Sequence, residues 1–239
     1  MELSASTNPE RTCRLCGGAT LAWAESTRGE HYERCPTCGL LQLATPDLPT
    51  PEAELARYRE HNNQPDNADY RDYLGRFADS AVTPYVPANA RILDFGSGPH
   101  PVLTDILQGR EFTVTPHDPF FLPNPDALTP AVPYDAVVMV EVIEHLHAPG
   151  RVLPSLLEQL APTGHLILRT GVFDARVPED DPPGAVNGPA ATRFLAWWYR
   201  RDPTHVLFLT PATIDWMQRR FRLDLVHHKK GHELVFGRR

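Results

Sequence analysis

The chain has 239 residues, of which 41% are hydrophobic and 22% are charged, and its formal net charge is −7. Its length fits one α/β domain of roughly 150–200 residues together with a smaller domain, and its composition excludes wholesale disorder. The negative charge disfavours a large phosphate-binding surface, so nucleic acid is not the expected partner.

The first residues carry no signal of secretion or of membrane insertion. No basic segment leads into an apolar one, and the longest apolar run, AVVMVEVI at 136–143, is interrupted by Glu141. A transmembrane helix needs about 18 or more consecutive apolar residues. The sequence therefore predicts a cytoplasmic protein without a membrane segment, and it leaves the oligomeric state open.

The first fifty residues contain all the cysteines of the chain. They form two CxxC pairs with eighteen residues between the pairs: Cys13, Cys16, Cys35 and Cys38. A glycine follows each pair (Gly17, Gly39), which suits a tight turn in which backbone N–H groups point toward sulfur. The spacing is typical of a four-thiolate zinc site. Two disulfides are the alternative, and the lack of a secretory signal makes them the weaker one.

The predicted Zn²⁺ is structural. Four thiolates close its coordination shell, so the metal serves to fold a segment that is too short to build its own core. Residues 1–50, the predicted zinc ribbon with its linker, hold four arginines and six acidic residues, which argues against nucleic-acid binding. A ribbon that binds a protein partner or covers a substrate remains an alternative.

A helical lead-in over residues 51–85 follows a proline-rich linker at 45–51 and is predicted to cover the pocket. An Asn-rich stretch at 61–67 interrupts it. We interpret this stretch as a solvated loop, with a loop across a substrate pocket as the alternative. Tyr70 and Tyr73 in the second half of the lead-in are interpreted as packing residues.

The sequence from Arg91 onward alternates apolar strands with helical segments, which is the pattern of an α/β domain with a parallel sheet. The predicted strands are RILDF at 91–95, EFTVTP at 111–116, DAVVMV at 135–140 and GHLILRT at 164–170, with a closing hairpin over 222–239. Helices are predicted at 101–108, 150–160 and 210–221.

A glycine-rich turn follows the first of these strands. Gly96 and Gly98 can take positive φ and let a ligand approach the backbone, and Pro99 suits the first turn of a helix. Asp118 lies some twenty residues after the turn, at the end of the second strand, where an acid hydrogen-bonds ribose hydroxyls. The combination predicts a site for a nucleotide-like cofactor.

Three segments, ILDFGSG, the acid after the second strand, and YDAVVMVEVIEHL, together resemble the class I S-adenosylmethionine-dependent methyltransferases over about residues 70–239. The EVIEHL segment is similar to the branch that contains ubiquinone-biosynthesis O-methyltransferases and sugar C-methyltransferases, and the latter also carry an N-terminal four-cysteine zinc region. A nicotinamide-binding fold is the weaker alternative, because GSGPHP lacks the third glycine of GxGxxG.

The resemblance implies an α/β, Rossmann-like sheet over residues 86–239 with strand order 3-2-1-4-5-7-6, strand seven being antiparallel. Only fifteen residues separate Asp118 from Tyr134, where the family usually fits a helix and the third strand. We therefore expect that edge of the sheet to be abbreviated.

The resemblance also implies which residues bind the cofactor, S-adenosyl-L-methionine. The loop under its methionine and ribose would consist of Asp94, Gly96, Ser97 and Gly98. Asp118 would bind the ribose hydroxyls. Glu141 lies where the family lines the adenosine and methionine pocket.

Transfer of a methyl group to oxygen or carbon requires a group that removes a proton from the acceptor. The candidate catalytic residues are the pair Glu144 and His145, beyond the fourth strand, and His205; each histidine could instead be structural. Glu141, Glu144 and His145 are spaced i, i+3 and i+4, so an early helix start would place them on one face, where a divalent metal could bind.

A long loop from Arg169 to Leu207 is predicted to be a lid over the substrate. Its aromatic residues, Trp197, Trp198 and Tyr199, favour a planar or sugar-like ligand, and its arginine pair at 200–201 favours an anionic group, with core packing as the alternative for the tryptophans. No (N/D/S)PP(Y/F/W) motif follows the fourth strand, which disfavours methylation of DNA amino groups.

The sequence thus predicts an S-adenosylmethionine-dependent methyltransferase that acts on oxygen or carbon of a small molecule. A nucleic-acid or protein methyltransferase guided by the ribbon, and a non-catalytic zinc-ribbon scaffold, are the alternatives.

Overall fold

The computed structural model describes residues 11–60, 63–174, 181, 185–229 and 231–239. His61, in the predicted Asn-rich loop, and residues 175–180 and 182–184 of the predicted lid lie outside the described residues. None of the helices in the described ranges has the length and apolarity that crossing a bilayer requires.

The secondary structure comprises ten strands and six α-helices in the described part of the chain. The strands are β1 (Leu21–Glu25), β2 (His31–Arg34), β3 (Leu41–Leu43), β4 (Arg91–Phe95), β5 (Thr113–His117), β6 (Tyr134–Val140), β7 (Leu160–Arg169), β8 (Leu207–Phe208), β9 (Leu223–Lys229) and β10 (Glu233–Arg238). The helices are α1 (Pro51–Arg59), α2 (Ala68–Phe77), α3 (Val102–Gln108), α4 (Pro149–Glu158), α5 (Pro189–Ala196) and α6 (Pro211–Phe221).

The chain forms two compact units that are interleaved along the sequence. The unit that we call the ribbon unit comprises Met1–Thr50, Glu144–Arg151 and Gly171–Met217. The sheet unit comprises Pro51–Ile143, Val152–Thr170 and Gln218–Arg239. The predicted boundaries of the three domains stay predictions.

The ribbon unit contains a four-stranded antiparallel sheet in the order β1-β2-β3-β8. The first three strands come from the cysteine-containing segment, and β8 comes from the far end of the predicted lid, with Leu41 of β3 opposite Phe208 of β8. Aromatic side chains from both segments pack into one core, among them Trp23, Tyr32 and Phe194.

The sheet unit contains a six-stranded mixed sheet in the order β5-β4-β6-β7-β10-β9. The first four strands are parallel, and β10 runs antiparallel to both β7 and β9. In the family's numbering this order is 2-1-4-5-7-6. The predicted α/β, Rossmann-like fold is confirmed, and so is the abbreviated edge, because residues 119–133 contain only a short 3-10 turn, Pro125–Leu128, where strand three would be.

The central strands of this sheet are buried on both faces. β4 and β6 contribute Ile92, Ala136 and Val138 to a core that helix α2 covers with Leu74 and Phe77. Such continuous apolar runs are expected of parallel strands that helices cover. Asn67 begins α2 by accepting a hydrogen bond from the Tyr70 amide at 3.1 Å.

Candidate functional site

The glycine turn after β4 adopts the conformation that its sequence predicts. Gly96 has φ 82° and Gly98 has φ 70°, which are left-handed values that favour glycine. A Cβ atom at Gly96 would lie 2.4 Å from the Val142 side chain, so a larger residue does not fit there. A Cβ at Gly98 would meet no atom within 4 Å, so the open side of the turn is at Gly98.

The same turn carries a polar group for which the described structure offers no partner. Ser97 Oγ is buried and makes no hydrogen bond in the described part of the chain. Asp118 holds the turn, because its Oδ2 accepts the Gly98 amide at 3.0 Å while its Oδ1 accepts the amides of Phe120 and Phe121, each at 2.9 Å. A buried hydroxyl without a hydrogen-bond partner needs an explanation, and a polar ligand bound at the open side of the turn would supply the missing partner.

Asp94 is the fourth residue of the buried strand β4 and is 3% exposed. Its carboxylate accepts a hydrogen bond from the Thr104 hydroxyl at 2.8 Å. Burial raises the pKa of Asp94 to about 6, and the nearby Asp118 charge acts in the same direction.

This raised pKa predicts a pH-dependent effect of Asp94→Asn on stability. Since the folded pKa lies above the unfolded value of 3.8, the protonated carboxyl favours folding below about pH 4, and this contribution is lost as the pH rises to about 6. The free energy of unfolding of the variant, minus that of the wild type, should therefore increase by about 3 kcal/mol from pH 3 to pH 7. Urea denaturation across this range measures it, and a flat difference would contradict the buried-acid interpretation.

Glu141 follows directly after β6 in a left-handed conformation, φ 51°, that is uncommon for a residue with a side chain. Its carboxylate accepts the Tyr73 hydroxyl at 2.9 Å and lies 3.8 Å from the Arg169 guanidinium. Arg169 also donates to the Tyr73 oxygen and sits 4.4 Å from the Tyr73 ring centroid. Burial, followed by the Glu141 charge, raises the pKa of Tyr73.

Tyr73 packs against the core of the sheet unit, as predicted. Its hydroxyl also links Glu141 to Arg169, and no local pattern reveals such a link between residues far apart in the sequence. Glu141 does not share a helical face with Glu144 and His145, because the short 3-10 turn begins only at Ile143.

In the ribbon unit, the structure brings the three candidate catalytic residues together. One oxygen or nitrogen from each of Glu144, His145 and His205 lies within 4.8 Å of the others. Glu144 is 1% exposed and accepts a hydrogen bond from the Tyr199 hydroxyl, and both histidines are half-buried. The two imidazole rings meet edge to face with centroids 4.7 Å apart.

Backbone carbonyls fix the orientation of both imidazole rings. His145 Nδ1 lies 2.9 Å from the Thr204 carbonyl oxygen, and His205 Nδ1 lies 2.7 Å from that of Tyr199. A carbonyl only accepts, so each Nδ1 carries a proton. Imidazoles and carboxylates are the side-chain types that act as proton acceptors in catalysis.

The four cysteines also form one cluster in the ribbon unit, and none is in a disulfide. The Sγ atoms of Cys13 and Cys38 are 3.5 Å apart, and those of Cys16 and Cys35 are 3.4 Å apart. Each CxxC turn closes with a backbone hydrogen bond from a glycine amide to a cysteine carbonyl. The Gly17 amide donates to Cys13 at 2.9 Å, and the Gly39 amide donates to Cys35 at 2.8 Å. The arrangement suits tetrahedral sulfur coordination.

The pKa values of the clustered thiols indicate that a bound cation is needed for all four to ionise. Hydrogen bonds from Cys13 and Cys38 lower the pKa of Cys35 to about 2, whereas the bond to Cys35 raises the pKa of Cys13 to about 12. The pKa of Cys38 is raised as well, first by its bond with Cys13. Four sulfurs this close together become four thiolates only when a cation neutralises them.

The aromatic residues of the predicted lid belong largely to the core of the ribbon unit. Trp197 packs on Phe173 with ring centroids 5.4 Å apart, and Tyr199 is 4% exposed, so packing explains both. Trp198 is 64% exposed. Arg200 forms an ion pair with Glu30 at 2.9 Å, whereas Arg201 is exposed.

Comparison with known proteins identifies the family. The sequence matches the family model of a methyltransferase domain over residues 56–228. Its fold is similar to that of an O-methyltransferase family protein from Burkholderia thailandensis, with a TM-score of 0.48 and 14% identity over 78% of this chain and 62% of that one. A search of curated proteins finds no match.

Two further solved structures are similar at 14% sequence identity. Coclaurine N-methyltransferase has a TM-score of 0.42 over 72% of this chain and 54% of its own. A possible histamine N-methyltransferase from Thermotoga maritima has a TM-score of 0.41 over 71% and 94%. The chain spans less than two thirds of the length of the Burkholderia protein and of coclaurine N-methyltransferase. Since the family model covers most of the sequence, the chain belongs to the methyltransferase-domain family, whose fold is that of S-adenosylmethionine-dependent methyltransferases.

Proposed function

We propose that this protein transfers the methyl group of S-adenosyl-L-methionine to an oxygen or carbon atom of a small molecule. The observation that carries the proposal is the glycine turn after β4, which combines an open side at Gly98 with the buried, unpaired hydroxyl of Ser97. The EVIEHL segment supports placement in the branch of ubiquinone-type O-methyltransferases and sugar C-methyltransferases.

The residues proposed to hold the cofactor are those of the turn and the two acids beside it. When bound, S-adenosyl-L-methionine supplies an electrophilic methyl group on a sulfonium. Asp94 and Ser97 face the ligand from the turn in this proposal. Asp118 reaches the ribose with Oδ2, which among the described residues accepts a hydrogen bond from the Gly98 amide. Glu141, held by Tyr73 and Arg169, lines the pocket.

The residues proposed to activate the acceptor are Glu144, His145 and His205. Each of the three offers one oxygen or nitrogen within 4.8 Å of the others, and backbone carbonyls hold both imidazole rings at Nδ1. An acceptor hydroxyl or an acidic C–H must lose a proton for the new bond to form, and this cluster is built to promote that loss.

The arginines of the ribbon support a small-molecule acceptor rather than nucleic acid. Of the four arginines, Arg14 and Arg34 are largely buried, Arg11 is exposed but lies 4.0 Å from Glu33, and Arg28 is exposed. A nucleic-acid site needs exposed, unpaired cations that displace counterions from phosphates. In the proposal, the ribbon is therefore a structural zinc module, with Cys13, Cys16, Cys35 and Cys38 as the four ligands.

Substitution of Gly98 tests the proposed cofactor site. Gly98→Ala should weaken binding of S-adenosyl-L-methionine by about tenfold or more in calorimetry, because the new methyl group occupies the open side of the turn. Gly231→Ala is the matched control in the same unit: Gly231 has φ 88° and an equally open Cβ position. Both changes carry a backbone cost of about 1 kcal/mol, but the control should leave the affinity unchanged.

Equal affinities in the two glycine variants would show that the cofactor binds elsewhere. A wild-type protein with its zinc in place that fails to bind S-adenosyl-L-methionine would instead support the non-catalytic scaffold.

A further inference from the structure

The last segment of the sheet unit concentrates positive charge. Residues 218–239 contain seven of the 23 Lys and Arg residues but only two of the 30 Asp and Glu residues, although the net charge of the whole chain is −7. Both acids of this segment have cationic partners: Asp224 lies 2.7 Å from Arg239, and Glu233 lies 3.2 Å from Arg169. Among the residues that the structure describes, neither acid pairs with another arginine of the segment.

Three of these arginines line a cleft of about 240 Å³. Arg220 lies at the end of α6, Arg222 between α6 and β9, and Arg238 at the end of β10. All three are exposed, and none of them forms an ion pair in the described part of the chain. Glu158, at the end of α4, also lines the cleft. The lining thus carries three guanidinium groups against one carboxylate, an excess of positive charge.

Contacts within the sheet unit hold two of the guanidinium groups at the cleft. Arg238 Nη1 donates to the Leu160 carbonyl at 2.7 Å and to the Leu157 carbonyl at 3.3 Å. The guanidinium carbon of Arg220 lies 5.8 Å from the ring centroid of Phe221, within the range of a cation–π contact. A cation that is held in advance loses less conformational entropy when an anion binds to it.

The rest of the cleft lining is apolar. Leu157 and Leu223 are buried, and Pro154 and Phe221 are half-buried. Small-molecule sites typically combine apolar walls with a few polar groups that fix the orientation of the ligand. The arginines of the cleft therefore suit an anionic group, and its walls suit the organic part of the same molecule.

The cleft and the glycine turn lie at opposite edges of the six-stranded sheet. The glycine turn follows the carboxyl end of β4, and β6 and β7 run parallel to β4. Gly237 of β10, next to Arg238, lies opposite His165 of β7, which is level with Ala136 near the start of β6. The cleft is therefore at the edge where the parallel strands begin, and a molecule bound there does not occupy the proposed cofactor site.

We propose that this cleft binds a small-molecule phosphate monoester, with the phosphate group at Arg220, Arg222 and Arg238. The planar guanidinium group can donate two parallel hydrogen bonds to phosphate oxygens. A phosphate monoester carries a charge of about −1.5 to −2 at neutral pH. This charge matches the excess of three guanidinium groups over one carboxylate more closely than a single carboxylate ligand does. The site is independent of the proposed methyl transfer, and its ligand is not the methyl acceptor.

Titration of phenyl phosphate with the full-length protein, followed by the linewidth and chemical shift of its ³¹P resonance, tests the site without any activity assay. An ionic strength of about 0.15 M screens long-range attraction between exposed charges. Arg220→Ala and Arg222→Ala should each weaken binding at least about tenfold, because each removes a charged hydrogen-bond donor. Alanine at position 222 adds no backbone strain, since Arg222 already has φ 53° with a Cβ atom. Inorganic phosphate should bind about tenfold more weakly than phenyl phosphate, because only the ester packs against the apolar walls.

Arg219→Ala is the matched control. Arg219 is exposed and lies next to Arg220 in α6, but it does not line the cleft, so its removal takes the same charge from the same segment and should leave the affinity unchanged. Urea denaturation of every variant recognises a folding defect.

A wild type that does not bind phenyl phosphate overturns the site. An effect of Arg219→Ala as large as that of Arg220→Ala would indicate diffuse attraction to a basic surface and overturns the cleft. Tighter binding of a single-stranded oligonucleotide, weakened equally by all three substitutions, would indicate a nucleic-acid surface and also overturns it. Equal affinities for inorganic phosphate and phenyl phosphate overturn the monoester as the ligand.

Discussion

Replacement of Cys38 by serine is expected to unfold the ribbon unit, the largest stability effect that we anticipate in this protein. Structural zinc sites contribute about 10–16 kcal/mol of binding free energy, which is comparable to or larger than the entire stability of a typical domain. Without the fourth thiolate the proposed Zn²⁺ is lost, and the close sulfurs no longer have a shared cation. Metal analysis should find less than one zinc per chain, and the near-ultraviolet circular dichroism of the buried Trp23 should disappear.

Chelation provides the control for this variant. A strong zinc chelator should reproduce the loss of ordered Trp23 in the wild type and should add nothing in Cys38→Ser. A variant that lacks zinc but keeps the wild-type circular dichroism and proteolytic resistance would show that the ribbon folds without metal.

Glu233→Ala is expected to destabilise the sheet unit by about 3–5 kcal/mol, the range for removal of one partner from a buried ion pair. The side chain of Glu233 is 3% exposed, and it faces four polar groups of the unit: Arg169 at 3.2 Å, Ser80 at 2.8 Å, Lys229 at 3.4 Å and His227 at 3.6 Å. The alanine leaves the Arg169 guanidinium, itself 16% exposed, without its carboxylate in β10. Urea denaturation measures the loss.

The exposed ion pair of the same hairpin is the matched control. Asp224 and Arg239 are 2.7 Å apart, but their side chains are 58% and 51% exposed. Asp224→Ala should therefore change the free energy of unfolding by less than about 1 kcal/mol. If both variants lose the same small free energy of unfolding, the ion pair of Glu233 does not stabilise the sheet unit as proposed.

Because Arg169 also contacts Glu141 and Tyr73, Glu233→Ala should in addition weaken binding of S-adenosyl-L-methionine at the proposed cofactor pocket.

The parts of the fold that follow from local sequence were predictable. The central strands β4 and β6 are short apolar runs, and the glycine turn after β4 is local as well. The missing third strand followed from chain length alone, since fifteen residues cannot supply a helix and a strand.

The parts that depend on distant residues were not predictable. β8 is two residues long and pairs with a strand from the first fifty residues, and no periodic pattern exists in two residues. For the same reason, the sequence offered His145 and His205 as separate candidates, although the rings are in edge-to-face contact. For the aromatic lid residues the sequence left ligand contact and core packing both open, because Trp197 contributes the same aromatic residue whether it stacks on a ligand or on Phe173.

The pairing of β3 with β8 has a consequence for the order in which the chain folds during synthesis. The cysteines and β3 leave the ribosome first, and β8 follows only after most of the sheet unit, a delay on the order of ten seconds at typical rates of elongation. Until then the edge of β3 has unpaired backbone groups, which are a template for association with other chains. Zinc loading of the nascent ribbon can therefore precede the closing of its own sheet, and the chain depends on rapid, complete translation to protect that edge.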